Sequence, residues 1–113
     1  MTTPIDYAHL DKYVCGDRAL LDEILSIFQE QVEGWVQQMT PELEDDAWRH
    51  AAHSLKGASR GVGAWAVGDI AEEAEAMVAG AGDRSALLAR LASAADAAID
   101  YATLLRDGKV ETV

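Results

Sequence analysis

Apolar residues recur at spacings of three and four along most of this chain, a period that helices satisfy and strands do not. Leu21, Ile24, Leu25, Phe28, Val32, Trp35, Val36 and Met39 predict one helix of about six turns with a single apolar face. Thr40-Pro41 ends it, because proline disfavours helix for the residue before it. Upstream, Asp6 to Val14 reads as a short leading helix with Tyr7, Leu10, Tyr13 and Val14 apolar; Gly16 stops it and Asp17 caps the next. Asp45 or Asp46 is placed to cap a third helix carrying Trp48, Ala51, Ala52, Leu55, Ala58 and Val62, which stops or bends at Gly61-Val62-Gly63. A fourth turns Val67, Ile70, Ala71, Ala74, Met77 and Val78 inward and Glu72, Glu73 and Glu75 outward. After the turn Gly80-Ala81-Gly82 and a cap at Asp83, the last helix repeats Leu88, Leu91, Ala95, Ala98, Ala102 and Leu105. Short connections between long amphipathic helices make neighbours antiparallel. The expected fold is all-α, an antiparallel up-down four-helix bundle with a short extra N-terminal helix, in a single domain over 1–113.

Charge narrows the partners. Nine Lys and Arg against twenty Asp and Glu give a formal −11, which repels a nucleic-acid backbone or an anionic membrane surface. The single Cys15 forms no internal disulfide, and at a helix end it is expected to be a small packed thiol. No apolar run approaches the ~18 residues of a membrane span, and the first residues lack the basic start and apolar stretch of a signal peptide. The expectation is a cytoplasmic, free-standing monomer that meets a soluble protein partner.

One window departs from this acidity. Ala47 to Gly68 contains Arg49, Lys56 and Arg60 and no carboxylate, a local +3. Stepping about 100° per residue from Trp48 puts Ala51, Ala52, Leu55, Ala58, Ser59 and Val62 within ~80° of it, which is the buried stripe. His53 falls near 140°, with Gly57 near 180° and His50 near 200° on the same open face (all approximate). His53 therefore points to solvent, with Lys56 and Arg60 beside it. A glycine inside an exposed helix costs about 1 kcal/mol relative to alanine. Gly57 lies opposite the core stripe, so close packing within the bundle does not explain it, whereas close approach of a partner to His53 does. An exposed imidazole is largely uncharged and nucleophilic at neutral pH. An attached phosphoryl group would be offset by the ammonium of Lys56 at i+3.

His53-Ser54-Leu55-Lys56-Gly57-Ala58, followed by Val62-Gly63-Ala64, resembles the signature of histidine-containing phosphotransfer (HPt) domains of multistep two-component signalling. Gly16 to Phe28 is similar to the opening of that family's long second helix. Ala51-Ala52 before the histidine and Glu75 further on fit as well, so the resemblance runs over about 6–105. It implies that His53 is the phospho-accepting residue, through Nε2, that Lys56 offsets the phosphoryl charge, and that Gly57 keeps the surface open for a receiver domain. It implies a carrier without its own cofactor or kinase activity, with Mg²⁺ held by the receiver. The partners it implies are response-regulator receivers, a sensor histidine kinase, or both. The face around His53 is where a receiver is expected to dock, across the helices flanking the Thr40–Asp46 turn, with Arg49, His50 and Arg60 as contacts. Gly61, Ala71 and Ala74 are smaller than what many relatives carry there, and the two alanines imply close helix packing.

Two other readings fit less well. Asp46, His50 and His53 share a helix face at i, i+4 and i+7, but a metal there lacks a fourth ligand in sequence, and Lys56 and Arg60 repel a cation. A docking adaptor with no chemistry leaves the combination of His53, Lys56 and Gly57 unexplained. Nor is there a glycine loop followed by Lys-Ser or Lys-Thr to hold ATP. His9 reads as a surface or packing residue and Trp35, Trp48 and Trp65 as core or near-core residues, Trp65 with a second option at the partner surface.

Overall fold

In the computed structural model, which describes residues 3–109, five helices and no strand appear. They are α1 (Tyr7–Val14), α2 (Arg18–Gln38), α3 (Asp45–Gly61), α4 (Trp65–Glu75) and α5 (Arg84–Arg106). Helices α2 to α5 pack each on the next, and α5 closes back on α2, which makes the expected bundle; α1 lies against α2. Three of the starts follow from aspartates. Asp6, Asp17 and Asp83 accept the amides of His9, Leu20 and Ala86 at 3.3, 3.1 and 3.1 Å. The chain turns between α1 and α2 through left-handed Cys15 (φ 48°) and Gly16 (φ 79°).

Helix α3 starts differently from the expectation. Glu44 occupies the N-cap without a side-chain hydrogen bond, and neither Asp45 nor Asp46 caps. The Asp45 carboxylate instead reaches across to the α4–α5 connection, where it accepts Ala79 N–H at 2.8 Å and Arg84 Nη2–H at 2.7 Å. Arg84 is the centre of that junction. Its guanidinium lies 4.3 Å over the Trp48 ring and donates to the carbonyls of Leu43 (2.7 Å) and Met77 (2.8 Å). Trp48, fully buried, donates its indole N–H to Ala74 O at 2.7 Å, so α3 and α4 are pinned in register.

The core runs through Phe28, Leu25, Leu55, Leu91 and Leu105, with Ala71, Ala74, Ala95, Ala98 and Ala102 letting α4 and α5 approach closely. Three packing expectations change. Leu87 rather than Leu88 is the buried leucine at the start of α5. Helix α4 ends at Glu75, so Met77 and Val78 pack from the following turn. Cys15 is exposed, because the left-handed turn carries it outside the bundle. At the other end of α3, Gly63 has φ 81°, and its carbonyl accepts Asp6 N–H at 2.9 Å. A Cβ there would stand 2.9 Å from Asp6 O, so only glycine lets α1 dock on this corner.

Candidate functional site

The three cations of the local +3 window all fall on α3, and the open face of that helix becomes a cleft lined by Asp46, Arg49, His50 and His53 together with Glu75. The His53 side chain is 70% exposed, as its azimuth predicts. The surprise is Glu75. Read from sequence as pointing outward, it is the last residue of α4, and the antiparallel α3–α4 hairpin brings it in beside His53, half-buried. Its Oε2 lies 3.5 Å from His53 Nδ1, and its Oε1 lies 2.5 Å from Lys56 Nζ. Lys56 is correspondingly only 21% exposed. The ammonium expected one turn from the imidazole forms an ion pair with Glu75 of α4. Lys56 first and His53 second hold the Glu75 carboxyl below its ordinary value, against the opposing effect of burial. A signal for this was present in the sequence, since Gly68, Glu72 and Glu75 share one side of α4 by helical stepping.

Arg60, placed by its azimuth near His53, turns instead onto α4, 3.5 Å from Asp69 and 3.2 Å from Glu72. It lies across Gly68, where an added Cβ would sit 2.8 Å from Arg60 Cγ. Arg49 stays in the cleft, with Asp46 at 3.2 Å as its salt-bridge partner and both side chains well exposed. His50 meets Trp35 of α2 edge to face, with ring centroids 5.5 Å apart. Gly57 is exposed, and a Cβ added there or at Gly61 meets nothing within 4 Å. Trp65 is 40% exposed at the α1 corner, against His9 at 4.8 Å and with its indole N–H on Asp6.

An exposed imidazole, oriented through one nitrogen by a carboxylate and standing over bare backbone, suits reversible loading of its other nitrogen. A family model described as Hpt domain matches residues 23–107. The chain belongs to the Hpt domain family. The matched span begins inside α2 and ends just past α5, so α1 lies outside it. Hpt domains serve histidine phosphotransfer in phosphorelays, exchanging phosphoryl groups with response regulators and histidine kinases as carriers without kinase activity. No curated protein and no solved structure matches the chain. No helix among the described residues is long and apolar enough to cross a membrane.

Proposed function

We propose that this protein carries a phosphoryl group on Nε2 of His53 and exchanges it with the aspartate of a receiver domain, or takes it from a histidine kinase, in the cytoplasm. One observation carries the reading: the ring is 70% exposed while its Nδ1 faces the Glu75 carboxylate. That carboxylate favours the proton on Nδ1, which leaves the Nε2 lone pair directed outward as the nucleophile. In transfer from an aspartyl phosphate, the Nε2–P bond forms as the acyl P–O bond breaks and the aspartate carboxylate leaves. The Nδ1 proton stays in place, and the positive charge that develops on the ring faces Glu75. Lys56 acts as a positioning residue that holds Glu75 ionised and in place. Mg²⁺ belongs to the receiver, which supplies the rest of the catalytic groups.

The receiver approaches across α2 and α3. Trp35 meets His50 there, and Ile24 and Ile27, three and two turns before Trp35, continue the same side of α2. Gly57 leaves the approach to His53 clear. Incubation with phosphorylated receivers followed by mapping of acid-labile phosphate tests the proposal. Phosphate on His53, lost in His53→Gln with helicity and Tm retained, is the expected result. Phosphate absent, or present elsewhere in His53→Gln, overturns it.

A further inference from the structure

The cleft raises a question of charge that the histidine alone does not answer. A phosphoryl group brings about −2 into a pocket already bordered by the carboxylates of Asp46 and Glu75. Three cations share the helix, and the structure commits two of them elsewhere. The Arg60 guanidinium lies on Asp69 and Glu72 of α4. Lys56 Nζ lies on Glu75 Oε1, with both side chains about four-fifths buried. That oxygen is shielded from solvent, so drawing the ammonium away would strand a buried carboxylate. Arg49 differs on each count. Its partner Asp46 is 83% exposed and Arg49 itself 58%, so their pair is screened by water and is easily exchanged for a stronger anion.

The cleft points the same way: beside His53 it is lined by Arg49 and His50, whereas Lys56 and Arg60 are not among its lining residues. A guanidinium fork also matches two phosphoryl oxygens at once, which an ammonium does not.

We infer that Arg49 leaves Asp46 to bind the phosphoryl oxygens on His53, while Lys56 stays on Glu75; this rests on the carrier reading above. The test needs no partner protein. Potassium phosphoramidate loads the full chain: Nε2 attacks phosphorus, the donor's P–N bond breaks and ammonia leaves. The ³¹P resonance of the phosphohistidine is then titrated with pH in wild type, Arg49→Gln, Arg49→Lys, Lys56→Gln and Arg60→Gln, with helicity checked by circular dichroism. A cation at the phosphoryl group favours its dianion, so Arg49→Gln raises the phosphoryl midpoint by about half a unit and Arg49→Lys restores most of it. Lys56→Gln and Arg60→Gln stay near wild type. An unchanged midpoint in Arg49→Gln, or a larger rise in Lys56→Gln, overturns the assignment and leaves the carrier reading standing. No phosphohistidine resonance from wild type overturns both.

Discussion

His53, Lys56 and Glu75 act as one unit in which a single carboxylate serves two cationic or proton-bearing partners. Folding lowers the Glu75 pKa, so its contribution to stability is complete above the ordinary glutamate value of about 4.5. It is lost as pH falls through the lower folded-state value. Wild type is therefore expected to melt above Glu75→Gln at neutral pH, and the gap closes on acidification below that lowered folded-state value. A gap that stays constant with pH contradicts the pairing. Transfer by Glu75→Gln is also slowed at neutral pH, because Nδ1 loses the anion that fixes its proton. Gly57 gives the complementary case, where the clearance role proposed above rests on open space. Its Cβ position is open, so Gly57→Ala is expected to stabilise the domain by about 1 kcal/mol in denaturant titration. Gly57→Gln should load normally from a small phosphodonor yet accept phosphate slowly from a receiver; equal receiver rates would remove the clearance role.

At the scale of the element, α3 is read in two directions by its neighbours. Its inner stripe of Trp48, Ala51, Ala52, Leu55 and Ser59 is buried, and its outer face carries the cleft. Ser59 is the misfit in that stripe, fully buried with an Oγ that has no hydrogen-bond partner among the described residues. Ser59→Ala removes that desolvation penalty and improves helix propensity, so a gain of about 1 kcal/mol is expected from thermal or denaturant melts. A loss instead would show that the hydroxyl has a partner in solution. The ends of α3 are fixed by other elements rather than by their own caps: Arg84 and Asp45 hold one end, and Gly63 under α1 holds the other. This fixed placement keeps the His53 ring at one height against Glu75 of α4.

Across the whole molecule, charge and shape divide the surface. A chain of −11 presents its carboxylate-free window of α3 on one side. Beside it, α2 offers Ile27, 47% exposed, and the half-buried Trp35 against His50. Protein interfaces draw much of their energy from a few large apolar or aromatic side chains, so this side, which adjoins His53, suits a receiver. Ile27→Lys is expected to slow phosphotransfer with a receiver by at least about tenfold, equivalent to 1.4 kcal/mol, while loading by phosphoramidate stays at the wild-type rate. Equal effects on both donors would place the defect at His53 instead of at docking.

Helical period, the aspartate caps of α2 and α5, the bundle and the exposure of His53 were all legible in the sequence, because each follows from the spacing of residues a few positions apart; that Asp6 caps α1 instead of opening it was not. The azimuth of one helix suffices to say that an imidazole faces water. It does not say what faces the imidazole. Glu75 lies 22 positions from His53 along the chain and 3.5 Å from it in space, and only the packing of α4 on α3 joins them. The same packing draws Lys56 and Arg60 onto α4 and leaves Arg49 in the cleft, and it sends Asp45 to Arg84 instead of to its own helix end. Long side chains choose among carboxylates by distance in three dimensions, and sequence spacing along a single helix carries no record of the neighbouring one.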